Sequence, residues 1–482
     1  MSADPPPPTP SSPAPSPPSV LLTFFAGTVE VRSEPVSALP TVAALDLPGC
    51  VDDSRAGCLR CQAFGYAELV LALQRHEKAG TIAAVVDDAR AYRTLELVPS
   101  MPPEPRHYQQ EALVAWKKQR GRGVVVLPTG AGKTEVALMA ILDRQRATLV
   151  VAPTLDLVRQ WHQALTRRFG VDVGIVGGGE HTVLPLTVTT YDSAWAHMEH
   201  LGHRFGMIVF DEVHHLVGES YAMAARLSLA PYRLGLTATP ERTDGRDELM
   251  FGLVGPIVYR KEIDELEGEF LADYDTETIV VELSEQDRAA WDTARAIYKG
   301  FIHDEHISLS GPRGWDNFIR KAASSAAGRK AMAAWRLQKR LAHASEKKLD
   351  VVDVLLQRHR GQRTLIFTDD NATAYAVSRR FLVPVITHQT KVKERSALLS
   401  AFSDGTLPIL STSRVLNEGV DVPDTQVAII ISGTGSIREH VQRLGRILRP
   451  RPDKRAILYE LISANTGETF TSERRRDHRA YR

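Results

Sequence analysis

One stretch constrains this chain more than any other. The apolar run Val124-Val125-Val126-Leu127 leads straight into Pro128-Thr129-Gly130-Ala131-Gly132-Lys133-Thr134, and the helix-forming Glu135-Val136-Ala137-Leu138-Met139 follows at once. Strand, glycine-rich turn and helix start, in that order, make a phosphate-binding loop. The glycines let backbone N–H groups turn toward a β-phosphate, and the helix start adds the positive end of its dipole. Lys133 neutralises β/γ charge in such a loop, and the Thr134 hydroxyl can ligate Mg2+. Thr129, Gly130, Ala131, Gly132, Lys133 and Thr134 are therefore the expected nucleotide contacts, with ATP and Mg2+ as cofactors. The general pattern asks for glycine at position 127, where this chain has Leu127.

Such a loop needs acidic partners. Asp211-Glu212-Val213-His214-His215 follows the apolar run 207–210, and the carboxyl end of a strand is where α/β sheets place their ligands. Asp211 is expected to bind Mg2+ through water and Glu212 to polarise the attacking water, because in-line phosphoryl transfer asks for positioning and charge compensation. Upstream, Arg106-His107-Tyr108-Gln109 precedes the loop by about a helix's length. The Gln109 amide can satisfy a donor and an acceptor on adenine's edge, and Tyr108 is placed to stack. Far downstream lies Gln442-Arg443-Leu444-Gly445-Arg446. Arg443 and Arg446, one helical turn apart, can bring guanidinium groups onto transition-state charge, with Gln442 beside them. A solvated basic helix face is the alternative for those arginines, and the loop and acidic pair upstream argue against it.

The apolar runs recur in two sets, 124–127, 148–151 and 207–210, then 364–367, 408–410 and 427–431, separated by longer helical stretches. Buried parallel strands read this way. Residues 1–19 hold nine prolines and are expected to stay an extended, solvated arm. Short strands at 21–25 and 29–31 and an amphipathic helix at 64–78 mark a small α+β module over 20–100. A first α/β lobe is expected over 101–261, a linker and helical insertion over 262–349, a second lobe over 350–467 and a basic tail over 468–482. The insertion mixes Trp291, Tyr298, Phe301, Trp315, Phe318 and Trp335 with Lys and Arg. Such aromatics can stack on bases, although packing inside a helical core is the plainer reading.

Composition excludes some alternatives. Lys plus Arg total 59 against 58 Asp plus Glu, so nucleic-acid affinity must come from local patches. The arginine-rich end, Arg474 to Arg482, is one such patch, or simply a solvated tail. No run approaches the roughly 20 apolar residues of a membrane helix, and Asp4 and prolines stand where a secretory signal carries Lys or Arg. A place in the cytosol or on the nucleoid is expected. Cys50, Cys58 and Cys61 make an odd set without a disulfide framework; packed thiols are a plainer reading than a zinc site completed by His76.

Further residues carry a resemblance. Thr237-Ala238-Thr239, the run 411–423 beginning Ser411-Thr412-Ser413, and 442–449 look like motifs III, V and VI of superfamily 2 motors. Asp211 to His215, the run 234–240, Ile386-Thr387-His388 and Ser432-Gly433-Thr434-Gly435-Ser436 are similar to the XPB helicases of archaea and eukaryotes. The likeness runs from Pro105 to about Gly467. It implies two RecA-like parallel-sheet domains, a helical thumb between them and an N-terminal module like those that recognise damage. It also implies that Arg106 and Gln109 meet adenine, that DNA is the partner and that polarity is 3'-to-5'. Family members carry Arg-Glu-Asp after motif III, thought to assist strand separation; this chain has Arg242-Thr243-Asp244. Arg242 and Asp244 are carried over as DNA contacts. Thr154, Arg159, Gln160, Thr189 and Thr190 are expected to meet backbone phosphates, contacts without sequence information. The leading reading is an ATP-dependent DNA helicase opening duplexes in repair or transcription. A double-strand translocase that separates nothing, and an ATP-gated scaffold that recruits a nuclease, stand beside it.

Overall fold

Strands that are apolar on both faces need cover on both sides. Arg122–Val126, Tyr232–Thr237, Met207–Asp211 and Thr148–Ala152 receive it at the centre of an eight-stranded sheet. From edge to edge its order is Ile257–Arg260, Arg122–Val126, Tyr232–Thr237, Met207–Asp211, Thr148–Ala152, Leu186–Thr190, Gly174–Gly177 and Glu180–His181. Every pairing is parallel except the last. Alternation along each strand divides the core. Val125, Val150, Val209 and Leu234 face Tyr108, Val136, Ala137, Val158 and Trp161 on one side. Val124, Leu149, Ile208 and Phe210 face Tyr191, Met198 and Ala222 on the other. The computed structural model describes residues 16–100, 102, 104–238, 247–262, 265–266, 273–309, 314–413, 425–432 and 455–469.

The second sheet has six strands, all parallel, in the order Asp273–Val281, Arg455–Ser463, Val427–Ile430, Thr364–Phe367, Ile409–Thr412 and Val385–Ile386. Its first strand corrects a boundary. Residues 262–349 were expected to be linker and helical insertion, yet Asp273–Val281 lies in the second sheet, paired with Arg455–Ser463 along its length. An edge strand shows one face to water, so Asp275, Thr276, Glu277 and Thr278 hide the apolar signature that marks a central strand. The chain thus enters the second lobe before it builds the insertion.

Helices Glu285–Asp304, Gly314–Ser324 and Ala326–His343 form that insertion. Ser284 and Ser325 cap two of them, accepting from Asp287 N and Gly328 N. Phe301, Ile307, Phe318, Ala322 and Ala331 make its core, and Trp291 is buried as well. Trp315 is 37% exposed and packs on Trp335 with ring centroids 4.7 Å apart. Helix Glu346–Arg358 turns Leu349, Val352 and Leu355 into the second lobe's core.

The N-terminal module is a five-stranded sheet, ordered Cys50–Asp53, Cys58–Gln62, Thr28–Glu34, Ser19–Phe25 and Ala84–Asp87, with only the last pairing parallel. Helix Tyr66–Lys78 packs against it through Leu69 and Leu73. Ser19 already belongs to a strand, so the sheet begins inside the segment read as an arm; residues 1–15 lie outside the described residues. Leu229 of the first lobe enters the module's core, and Phe24 stacks on His203 at 4.7 Å. The connecting segment then runs along the first lobe, with Leu95 N donating to Gln145 O and Ser100 N to Arg168 O. Cys50, Cys58 and Cys61 are free thiols. Among the described residues, no helix is long and apolar enough to cross a membrane.

Candidate nucleotide site

The glycine-rich turn leaves strand Arg122–Val126 and ends at helix Lys133–Arg144. Gly132 caps that helix in the left-handed region, φ 79°, and a Cβ there would sit 2.4 Å from Gln109 Nε2. Only glycine fits both demands. The helix's first turn faces the turn it leaves, offering orphan N–H groups and a dipole end to an anion. Lys133 reaches back so that Nζ donates to Leu127 O at 3.3 Å, which keeps its ammonium over the loop.

Met207–Asp211 ends in the same sheet, separated from the loop's strand by Tyr232–Thr237, and the Lys133 charge acts on Asp211. Asp211 is 7% exposed, and burial, followed by the neighbouring Glu212 charge, pushes its carboxyl up to about 6. Trp161 Nε1 donates to Oδ2 at 2.8 Å and Glu212 N to Oδ1 at 3.1 Å. The Tyr191 hydroxyl donates to the Asp211 carbonyl at 3.0 Å. Glu212 adopts φ 46°, an uncommon conformation for a residue with a side chain and one that clusters at functional sites. Its Oε2 lies 3.6 Å from His214 Nδ1, and His214 Nδ1 lies 3.1 Å from Thr237 Oγ1 at the end of the adjoining strand. Buried Thr129 Oγ1 and Glu212 Oε2 have no hydrogen-bond partner among the described residues. Carboxylates, a hydroxyl, an ammonium and helix-start N–H groups gathered at the carboxyl ends of central strands suit a divalent cation bound to an anion. Trp161 and Tyr191 were not legible as site residues: both sit at apolar-face positions of their helices and read as core.

Helix His107–Lys118 brings Arg106 and Gln109 to the loop in an arrangement that changes one expectation. Gln109 Nε2 donates to Ala131 O at 3.0 Å, and its Oε1 accepts from Arg106 N at 2.9 Å. Gln109 thereby braces the loop and caps its own helix. Tyr108 is fully buried, with its hydroxyl donating to Ala131 O at 2.7 Å and accepting from the Arg106 guanidinium. Tyr108 cannot stack on a base; its ring is part of the core.

The expected strand contacts separate. Thr154 Oγ1 caps helix Leu155–Phe169 by accepting from Leu157 N, and Arg159 is exposed one turn further on. Gln160 lines a cleft of about 260 Å³ with Thr134, Trp161 and Arg167, on the loop side of that helix. Thr189 is 1% exposed and its hydroxyl donates to Val176 O at 2.8 Å, so that hydroxyl is not available to a phosphate. Thr190 spends its hydroxyl on capping helix Tyr191–Leu201, accepting from Ser193 N at 3.1 Å. The second lobe touches the first where Arg395 donates to Asp156 at 2.6 Å. Arg242, Asp244, Gln442, Arg443 and Arg446 lie outside the described residues.

Residues 102–242 match the family model for the type III restriction enzyme res subunit, and 330–479 match that for the ERCC3/RAD25/XPB C-terminal helicase. The chain is 43% identical over 374 residues to a DNA 3'-5' translocase XPB2 of Sulfurisphaera tokodaii, covering 78% of this chain and 85% of that one. It is 33% identical over 386 residues to a DNA 3'-5' helicase XPB of Kineococcus radiotolerans, covering 77% of this chain but 62% of that longer one. A crystal structure of the Pyrococcus furiosus Hef helicase domain superposes with a TM-score of 0.50 at 20% identity, covering 77% of this chain and 98% of that one. The parallel sheets of the two lobes are the RecA-like pair of that architecture. With its sheet order, its loop and these relatives on one footing, the chain belongs to the XPB family of superfamily 2 helicases.

Proposed function

We propose that this chain is an ATP-dependent DNA motor that moves 3'-to-5' and opens duplex DNA in repair or transcription. The observation that carries the reading is Asp211, followed by Glu212, at the end of a central strand within reach of the Lys133 charge, in a chain of the XPB family. Two similar proteins are named a 3'-5' translocase and a 3'-5' helicase acting on DNA. A more distant one is named a general transcription and DNA repair factor IIH helicase/translocase subunit.

The described geometry supports the roles of the first-lobe residues, and the family's motifs support those of the rest. Gly130, Ala131, Gly132, Lys133 and Thr134 hold the phosphates, with Thr129 Oγ1 free to turn toward them. Mg2+, when bound, would supply neutralisation of phosphate charge. Thr134 and Asp211 are the residues that would hold it. Glu212 orients the attacking water and accepts its proton at Oε2. His214 Nδ1 bonds with Thr237 Oγ1 at 3.1 Å and stands 3.6 Å from Glu212 Oε2, which puts the imidazole beside that carboxylate without a hydrogen bond to it. Gln442, Arg443 and Arg446 act from the second lobe on transition-state charge. Arg106 and Gln109 fix the loop and the adenine side of the cleft. Thr154, Arg159 and Gln160, with Arg242 and Asp244, remain the strand-contact candidates, sequence-independent by their chemistry.

A second reading is supported by two particulars: the 43% identical relative is named a translocase, and Thr243 stands where the family carries glutamate. It keeps every role above and drops strand opening. Parallel assays separate the two. ATP-dependent unwinding of a forked duplex is the result the helicase reading expects; displacement of a triplex third strand without any unwinding leaves only the translocase.

A further inference from the structure

Asp211 is held by a group outside the motif that contains it. Trp161 lies 50 residues upstream in helix Leu155–Phe169, is 2% exposed, and donates from Nε1 to Asp211 Oδ2 at 2.8 Å. Its helix buries Val158, Trp161, Leu165 and Phe169, spacing that only asks for apolar bulk. Leu or Phe would meet that need. An indole meets it and also aims an N–H into the buried carboxylate.

That N–H matters because of what the carboxylate lacks otherwise. Each carboxylate oxygen offers two lone-pair sites. Glu212 N takes one on Oδ1 and Trp161 takes one on Oδ2, which fixes the plane of the group and leaves the remaining lone pairs in set directions. Trp161 also walls the cleft it shares with Thr134, the other residue proposed to hold the metal. The geometry points to Trp161 as the positioning residue of the metal site: its indole N–H orients the Asp211 carboxylate for Mg2+ bound with nucleotide, as outer-shell donors orient metal ligands elsewhere. This inference rests on the nucleotide-site reading above.

Mn2+ serves as the probe, its free fraction read by EPR in the presence of a non-hydrolysable ATP analogue. Trp161→Phe keeps the ring bulk and removes the N–H. It is expected to bind Mn2+ about 10-fold to 100-fold more weakly, with thermal unfolding of the apo chain close to that of the parent. Unchanged Mn2+ affinity in the folded variant overturns the role. Lys133→Ala is measured beside it: if Lys133→Ala weakens Mn2+·nucleotide binding and Trp161→Phe does not, only the Trp161 inference fails. If neither variant has an effect, the nucleotide-site reading itself fails. Should Trp161→Phe not fold, the parent chain decides. It contains six tryptophans, and in 15N spectra one indole N–H signal must broaden away when Mn2+ joins the analogue, because Trp161 is the tryptophan whose indole N–H reaches the proposed metal-binding carboxylate. No selectively broadened indole overturns the inference.

Discussion

In the proposed site, Lys133 and Glu212 have separable jobs at one phosphate group, charge compensation and water orientation. Lys133→Ala and Glu212→Gln are each expected to lower DNA-stimulated ATPase activity by about 100-fold to 1,000-fold, while circular dichroism and thermal unfolding remain those of the parent. Asp211 presents a different trade. Its carboxyl, raised to about 6 mainly by burial, lies above the roughly 3.9 of an unfolded aspartate. The folded apo chain therefore binds a proton that the unfolded chain has released between those values. That contribution is present below the unfolded value and is lost as pH climbs through about 6, costing up to roughly 3 kcal/mol at neutral pH. Asp211→Asn is predicted to raise the apo chain's urea midpoint at pH 7.5 and to lose that advantage near pH 4, even though it removes hydrolysis. A midpoint unchanged or lowered at pH 7.5 would contradict the burial argument. The site thus holds a charge that the fold alone disfavours, as expected where function sets the residue.

At the scale of strands and helices, Arg233 shows what the sequence concealed. It is fully buried in strand Tyr232–Thr237 and donates to Ala230 O, Ala225 O, Leu253 O and Ser228 O at 2.8–3.0 Å. Burial, with Arg122 nearby, lowers its pKa to about 9. One guanidinium ties together the ends of several elements behind the central sheet. Arg233→Leu leaves those carbonyls without their donor and is predicted to cost about 3 to 5 kcal/mol, read as a lower urea midpoint; a loss under 1 kcal/mol would contradict that bracing role. The loop at Gly130 to Thr134 and the pair Asp211-Glu212 were readable because their spacing is tied to chemistry. Arg233, Trp161 and Tyr191 were not, since their polar tips meet partners that only the fold brings near. Thr189 misled for the converse reason: a hydroxyl near a candidate site is turned into the sheet, toward Val176 O. Tyr108 likewise reads as a stacking ring and is core. Strand Asp273–Val281 escaped because pairing with Arg455–Ser463 joins segments far apart in the chain. In the N-terminal module, Cys50–Asp53 and Ala84–Asp87 are too short to announce themselves.

Across the whole molecule, the two lobes must move relative to each other for hydrolysis to become displacement, and one contact between them is a single half-buried ion pair. Arg395 to Asp156 joins helix Val392–Ser403 of the second lobe to the start of helix Leu155–Phe169 of the first. A charge-assisted hydrogen bond shielded to that degree is worth roughly 1.5 to 3 kcal/mol, enough to bias an arrangement and too little to lock it. Arg395→Ala is predicted to broaden the distance distribution between dyes placed on the two lobes, and exchanging the two charges to narrow it again; a distribution insensitive to both variants would show that the pair does not bias the lobes. The N-terminal module, by contrast, shares Leu229 with its own core and stacks Phe24 on His203, so it travels with the first lobe. DNA is expected to drive hydrolysis at the Lys133 site. The most direct test is the steady-state rate of phosphate release with single-stranded, duplex and forked DNA and with RNA, in the parent and in Lys133→Ala. DNA should stimulate the parent severalfold beyond RNA and leave Lys133→Ala without stimulation; equal rates with and without DNA, or a Lys133→Ala chain that DNA still stimulates, would rule out a DNA-driven ATPase at this site.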